Sequence, residues 1–438
     1  MLLGHMARQV LRLGSNLVLT RLLVPEMFGV MAIVTVVLIG LEMISDVGLR
    51  NNIIQSSRGE ERIFLNTAWA VSIIRSSFLY IIALLLSYLL YLAGSNGWIS
   101  EQVVYANPVL PSVIAVMSLT VLISGFNSTK LYVANRKIHL GRIVTLELVC
   151  QLASVPVMIG IAFLNPTIWA LVIGALVNRI LFMILSHTAM PGQSNRLEWE
   201  AEAFYEIFHF GKWVFLSSLL GFFVNQGDRL LLGGLISAEI LGVYSIALLL
   251  VSAILQVFQK IFSNVLFPAL SEVSRERKDG LSRVYYKIRF RVDLVTMFTA
   301  GMLFATGQLI VEILYDDRYL EAGWMMQILS LSIAGIGFTL AKQIALALGH
   351  TRFFSGLVTL QLVTLYSLTI VLFKLFGLPG AIWGIVLYPV TGIIASFWYM
   401  KKNNLLQLHR EVMMIPLAFV GWVVGVLLEH IIRTYLMN

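Results

Sequence analysis

Residues 21–29 read RLLVPEMFG, and they decide the fold because the same design recurs further along the chain. Arg21, Leu22 and Leu23 lead through Pro25 and Glu26 to Gly29 and Val30; Leu235, Ile236, Ser237, Ala238 and Glu239 lead to Gly242 and Val243. Glu26 falls on Glu239 and Gly29 on Gly242 at one constant offset. Each segment is a brief polar interruption between two long apolar runs, the pattern of a tight turn between membrane helices. A second echo, residues 144–146 against 358–360, follows at nearly the same offset, and the polar loops before them, 135–139 and 349–353, also superpose. Two halves of like design therefore follow one another.

Composition fixes the solvent. Of 438 residues 58% are hydrophobic and 12% charged, and the mean hydropathy is +0.86, which leaves too little polar surface for a water-soluble globule. The chain is an all-α polytopic membrane protein in contact with the lipid bilayer. The single cysteine, Cys150, excludes an intramolecular disulfide and a cysteine-rich metal site. The net charge of +8 does not indicate nucleic acid, because the positive residues gather in alternate loops.

A spanning helix needs about 20 apolar residues to cross roughly 30 Å of hydrocarbon. Thirteen stretches qualify: 4–23, 28–49, 66–93, 108–126, 142–164, 167–186, 211–235, 241–264, 292–314, 324–348, 354–376, 379–400 and 412–435. The first carries Arg8 and Arg12 within it, and it lacks the n-region and cleavage site of a signal peptide.

Loop charge gives the orientation. Arg50, Arg58 and Arg62 follow the second span; Lys130, Arg136, Lys137 and Arg142 the fourth; Arg196 and Lys212 the sixth. A dense set from Arg275 to Arg291 follows the eighth, Arg352 the tenth, and Lys401, Lys402 and Arg410 the twelfth. The other loops hold only Arg21 and Arg318. The N-terminus and every even-to-odd loop are therefore expected in the cytoplasm. Each six-helix half then starts on the same side, which makes the halves parallel pseudo-repeats about an axis along the membrane normal. The expected domains are an N-terminal half, 1–190; a linker, 191–210; a C-terminal half, 211–400; and one extra C-terminal helix, 401–438. In the linker, Leu197, Ala201, Phe204, Tyr205 and Phe208 recur at helical spacing opposite Glu198, Glu202, Glu206 and His209, which predicts an interfacial helix over 195–210 on the cytoplasmic side.

Chemical motifs are missing. There is no GxxxxGK[ST] phosphate loop, no HExxH and no GxSxG, and the seven histidines are scattered, so no catalytic residues, metal site or cofactor are expected. The longest outward loops, 94–107 and 315–323, leave little room for an external catalytic domain.

What remains is charge inside the membrane, which costs about 2.5–3.5 kcal/mol per residue at a helix centre on insertion scales and marks function by default. The candidates are Glu42, Asp46, Arg75, Glu147, Arg179, Asp228, Arg229 and Lys342. At about 1.5 Å per residue Arg75 is roughly 14 Å from its helix end, and Lys342 about two turns in, too deep to snorkel easily. Glu42 and Asp46 share one face of the second span and need a basic partner from another helix; a structural pair with Arg75 is one reading. Asp228 and Arg229 are adjacent and face different directions. None of these charges is reproduced in the other half: Glu42 corresponds to Leu255, Asp46 to Gln259 and Arg229 to Asn16. Asymmetric charge in a repeated scaffold suits a substrate with one charged end.

RLLVPEMFGVMAIV (21–34), SDVGLRNNIIQ (45–55), FLNTAWAVSIIR (64–75) and NQGDRLLLGGLISAEILGVYSIA (225–247) resemble the polysaccharide transporter branch of the multidrug/oligosaccharidyl-lipid/polysaccharide exporter superfamily, the bacterial lipid-linked oligosaccharide flippases. The likeness covers nearly the whole chain and weakens after Phe376. It implies two six-helix bundles around a central cavity open alternately to each face of the cytoplasmic (inner) membrane. The cargo it implies is a polyprenyl-pyrophosphate-linked oligosaccharide, moved outward for O-antigen, capsule or exopolysaccharide synthesis alongside a polysaccharide polymerase and chain-length regulator. A pyrophosphate at the midplane needs cations, and arginine offers paired donors; Arg75, Arg179, Arg229 and Lys342 would supply them. Glu42, Asp46, Asp228 and Glu147 would be candidates for ion coupling. Two features depart from the family. The chain begins almost inside the first span, where members carry a basic leader, and a thirteenth helix differs from the usual twelve or fourteen. The rival readings are a multidrug or cation antiporter of the same superfamily, whose cavity would be acidic and aromatic, an unrelated six-plus-six transporter of small solutes, and a membrane polysaccharide polymerase or glycosyltransferase, which would need a large catalytic loop.

Overall fold

The computed structural model describes residues 2–44, 48–261 and 281–436. Asp46 lies outside the described residues, as do Arg275, Arg277 and Lys278 of the basic loop. The chain forms two compact units, Met1–Gly242 and Val243–Asn438.

In the first unit α1 (Leu2–Leu22) turns into α2 (Pro25–Ile44), followed by α3 (Leu49–Gln55) and the long α4 (Arg62–Ser95). Two short helices, α5 (Leu110–Met117) and α6 (Leu119–Gly125), follow one another, and the stretch Leu110–Gly125 bends by 63° into α7 (Lys130–Arg136). Then come α8 (Leu140–Leu164), α9 (Trp169–Thr188), α10 (Ala201–Asn225), α11 (Gly227–Gly233) and the start of α12 (Ala238–Ile261). The second unit continues α12 and adds α13 (Leu281–Leu314), α14 (Ala322–Thr339), α15 (Ala341–Ala347), α16 (Thr351–Leu387), α17 (Pro389–Lys402), α18 (Leu408–Val412) and α19 (Ile415–Leu436).

The protein is all-helical and polytopic, and each of the thirteen expected spans is helical over most of its described length. By length and apolarity alone, nine described helices can cross a membrane, or ten with the bent pair. The shorter count has physical reasons. α1 does not qualify, carrying Arg8, Arg12 and Arg21. Residues 351–402 count as one run although they hold two expected spans. Gly377 breaks that run with φ 64°, a left-handed conformation that glycine adopts without a side-chain clash.

The two echoed turns meet. α2 opens on Pro25, whose fixed φ and missing N–H suit a first helical position, and four residues on Gly29 presses against the start of α12. A Cβ on Gly29 would stand 1.8 Å from the carbonyl oxygen of Ala238, and one on Gly242 would stand 1.8 Å from that of Pro25. The contact is reciprocal, so the matched glycines occupy matched places, as the constant offset predicts. The loop 94–107 stitches both turns: Val104 N–H donates to Ile236 O at 3.2 Å, and Asn107 Nδ2 donates to Glu26 Oε1 at 2.7 Å.

The linker differs from the expected helix over 195–210. Residues 191–200 have no helix, and α10 starts at Ala201 and runs unbroken into the expected seventh span. The reason is that the strap's polar groups are taken by side chains of the first unit. Asn66 Oδ1 accepts from Arg196 N–H at 3.0 Å and Thr67 Oγ1 from Glu200 N–H at 3.0 Å; Asn195 Oδ1 accepts from Ser128 Oγ at 2.8 Å. The face of α10 turned inward is Ala203 and Ile207, packed on Leu49, Ile53, Phe64 and Leu65. Tyr205 and Phe208 are exposed.

In the second unit α13 and α19 cross with backbones nearly touching: a Cβ on Gly301 would stand 1.8 Å from Ala418 O, and one on Gly421 would stand 2.1 Å from Phe298 O. Small residues that allow such approach are a common way to join helices in lipid. The extra C-terminal helix is thus an integral wall of its unit.

Gly242→Val should force α2 and α12 apart and lower both membrane accumulation and melting temperature. Gly14→Ala, at a position with open space around it, should be neutral or stabilising by about 0.5–1 kcal/mol because alanine is the better helix former. Size-exclusion chromatography and thermal melts in detergent separate the two outcomes; equal behaviour would contradict the glycine contact.

Candidate functional site

The first unit encloses two adjoining polar cavities. The larger, of about 570 Å³, lies among α1, α2, α8 and α9, with Arg8, Arg12, Glu42, Glu147, Asn178 and Arg179 in its wall. Its polarity follows from helical spacing. Arg8, Arg12 and Ser15 stand at i, i+4 and i+7 on α1, and Glu147, Gln151 and Ser154 repeat that spacing on α8, so each helix turns one polar stripe inward. Asn178 Nδ2 of α9 donates to Ser154 Oγ at 3.1 Å.

The smaller cavity, of about 360 Å³, shares Glu42 and Arg179 with the first and adds Arg75, Ser72, Ser76 and Asn127. Arg75 Nη2 donates to the main-chain oxygen of Glu42 at 3.0 Å, tying α4 to the end of α2. Asn127 Oδ1 is buried without a hydrogen-bond partner.

Charge is not balanced here. Among the described residues the two cavities hold four arginines, Arg8, Arg12, Arg75 and Arg179, against two glutamates, Glu42 and Glu147. Arg8 forms an ion pair with Glu147. Arg12 is different: its Nε and Nη2 are buried and make no hydrogen bond, and Arg8 and Arg229 lie close enough to repel it. An unmatched guanidinium in a cavity is a standing cost unless an anion visits.

The sequence candidates separate accordingly. Arg75, Arg179, Glu42 and Glu147 come together around the cavities. Asp228 and Arg229 sit on α11, where Arg229 Nη1 donates to Gln226 Oε1 at 2.9 Å and its Nε is buried without a partner. Lys342 stands on α15 in the second unit. Asp46 falls outside the described residues. Arg8 and Arg12 were missed, because a charge inside a candidate span reads first as a fault in the span. Their i, i+4, i+7 spacing with Ser15, matched on α8, is the signal that finds them.

The sequence model of a family described as polysaccharide biosynthesis protein matches residues 18–324. The chain belongs to that family. No curated protein matches the chain. Among solved structures, the chain is similar to the lipid II flippase MurJ in an inward closed conformation, at 13% identity and TM-score 0.66, with all of both chains covered. It is also similar to an inward-facing multidrug resistance MATE family transporter of the MOP superfamily, at 15% identity and TM-score 0.67, covering 91% of this chain and 95% of that one. A third is the eukaryotic MATE transporter AtDTX14, at 13% identity and TM-score 0.53, covering 96% and 98%. The family member described here therefore has the all-helical fold of these transporters.

Arg12→Met should raise the melting temperature of the purified protein, since it removes a buried unsatisfied charge worth about 1–3 kcal/mol. Glu147→Ala should lower it by the smaller amount expected of a half-exposed pair, about 1 kcal/mol. A drop for Arg12→Met as large as that for Glu147→Ala would mean that Arg12 is structurally paired.

Proposed function

We propose that the chain is a flippase that carries a polyprenyl-pyrophosphate-linked oligosaccharide from the cytoplasmic to the outer leaflet of the bacterial inner membrane, for O-antigen, capsule or exopolysaccharide synthesis. The observation that carries this reading is the Arg12 guanidinium at the cavity wall, whose Nε and Nη2 are buried without a hydrogen-bond partner. Arg75 and Arg179 stand on the adjoining walls. A pyrophosphate supplies the missing anionic oxygens, and guanidinium groups take them in pairs. Serine, asparagine and glutamine around the same space suit sugar hydroxyls, and the polyprenyl tail stays in lipid. Arg229 and, in the second unit, Lys342 are further candidate cations for the substrate, and Glu42, Glu147, Asp228 and Asp46 are the acids available for ion coupling.

Family membership supports a role in polysaccharide biosynthesis, and MurJ, a lipid II flippase by name, shares the fold. In this reading the chain comprises the repeat halves 1–190 and 211–400, with the N-terminus in the cytoplasm, the linker 191–210 between them in sequence, and the extra C-terminal helix 401–438. A polymerase and a chain-length regulator would receive the product. No enzyme chemistry is involved. The second reading, a multidrug antiporter, is favoured by the likeness to MATE transporters, but a cavity with excess arginine repels organic cations.

In cells whose surface polysaccharide depends on this gene, Arg12→Met should accumulate at least as well as wild type yet lose most polymer export. Arg75→Ala should do the same, with Arg75→Lys rescuing in part because lysine makes no bidentate contact. Full export by normally accumulating Arg12→Met and Arg75→Ala proteins, or resistance to cationic drugs that depends on the chain, would end the flippase reading.

A further inference from the structure

The second unit buries a charged cluster that the proposed transport site does not use. Arg289 and Asp293 stand one turn apart on α13, and Glu411 comes from the short helix α18. Arg289 and Asp293 are 1% exposed and Glu411 0%. Arg289 Nε donates to Asp293 Oδ2. Its Nη1 faces Glu411 Oε2 at 3.2 Å, an ion pair without hydrogen-bond alignment, and its Nη2 donates to the Glu411 carbonyl at 3.4 Å. The Tyr285 hydroxyl donates to Glu411 Oε1 at 2.9 Å. The guanidinium lies over the Phe338 ring of α14, 4.1 Å from its centre.

Among the described residues, one cation therefore faces two acids in a packed interior. Fully ionised, the cluster would hold an uncompensated negative charge away from bulk solvent, which proteins avoid by neutralising a group. Two carboxylates held on one site relieve the same cost by keeping a proton. The geometry tells the acids apart. Glu411 Oε1 accepts from Tyr285 and its Oε2 faces Arg289 Nη1 without a hydrogen bond; Asp293 Oδ1 also has no hydrogen-bond partner and rests against Gly337, where a Cβ would stand 1.7 Å from it. Among the described residues the surrounding titratable groups form no ion pair with either acid. Tyr285 and Tyr286 are phenols on α13, and the Tyr286 hydroxyl accepts from Gln407 N–H at 2.6 Å and donates to Leu405 O at 3.5 Å. Arg410 of α18 stacks 5.7 Å from the Tyr286 ring, α14 presents Gly337 and Phe338, and α19 brings no acid or base before Glu429.

We propose that Arg289, Asp293 and Glu411 form a proton-binding site, in which one guanidinium holds two carboxyl groups and a single exchangeable proton resides on Oδ1 of Asp293. Binding adds a proton to a carboxylate oxygen and breaks no other bond. With the proton on, Arg289 is left to Glu411, and α18 is clasped to α13. With it off, Asp293 competes for the same guanidinium and the clasp weakens. Proton occupancy thereby sets how tightly the C-terminal segment is held to its unit, and this holds whatever the cargo of the first unit.

Infrared difference spectra of the full-length protein in lipid nanodiscs test it. Wild type minus Asp293→Asn and wild type minus Glu411→Gln should both show a protonated-carboxyl band at neutral pH, because either substitution leaves one acid that ionises against Arg289. Arg289→Met should enlarge the band, leaving two neutral acids. Each single acid variant should melt close to wild type, whereas Asp293→Asn with Glu411→Gln strands the guanidinium and should melt well below both. Where a variant fails to accumulate, wild type with 13C-labelled aspartate side chains reads the band directly: an isotope shift supports the site. Absence of the band in the difference spectra or the labelled wild type would mean a fully ionised structural clamp and overturn the proposal, as would single acid variants as unstable as the double.

Discussion

The backbone contact at Gly29 and Gly242 is the constraint on which the first unit depends. A helix pair ordinarily keeps its axes 8–10 Å apart through side chains, but here each glycine admits the carbonyl of the other helix at a distance no Cβ would allow. That approach fixes where α2 and α12 begin, and the turn before each must be short and rigid. Leu23, in the turn before α2, and Leu241 and Tyr244, beside Gly242, are all 0% exposed. The loop 94–107 then closes over both turns with one bond to each, so the two echoed stretches are held as a single knot.

From that knot the helices diverge, and what they enclose is set by the stripes they carry. α1 and α8 are poor in apolar residues on one face only, and those faces meet across a cavity rather than across lipid. In hydrocarbon a polar stripe has two stable arrangements, mutual pairing or access to water and ligand. Arg8 with Glu147 takes the first. Arg12, without a hydrogen bond at Nε or Nη2, lines the cavity and takes the second, and a transporter fold in a polysaccharide biosynthesis family gives a reason for keeping such a charge.

The fold was largely legible because membrane helices are specified by local properties: run length, loop charge, and the glycines and prolines that end a run. Gly377 and Pro379 mark a break within residues 351–387. The strap at 191–200 was misread as helix because its amphipathic spacing is local, while the groups that hold it extended, Asn66, Thr67 and Ser128, lie far away in sequence. The site was legible by half. Arg75, Arg179, Glu42 and Glu147 stand out as charges in apolar runs, but Arg12 is discounted by the same hydropathy that finds them. Arg289 was hidden among basic loop residues, and Glu411 stands just before a span. Their pairing across 122 residues has no linear signature.

The two charged interiors obey one rule with opposite signs. In the first unit arginines outnumber acids around open space, so the balance can be completed by something that enters, and a mobile anion fits. In the second unit acids outnumber the arginine in a packing that admits nothing larger than a proton, so the proton is the species that completes it. The difference lies in volume rather than in residue type. A cavity of about 570 Å³ can host a pyrophosphate with part of a sugar, whereas Asp293 Oδ1 pressed on Gly337 leaves no room for a hydrated ion. Buried charge that fails to cancel within a chain thus carries, in its sign and in the space beside it, the description of what it binds.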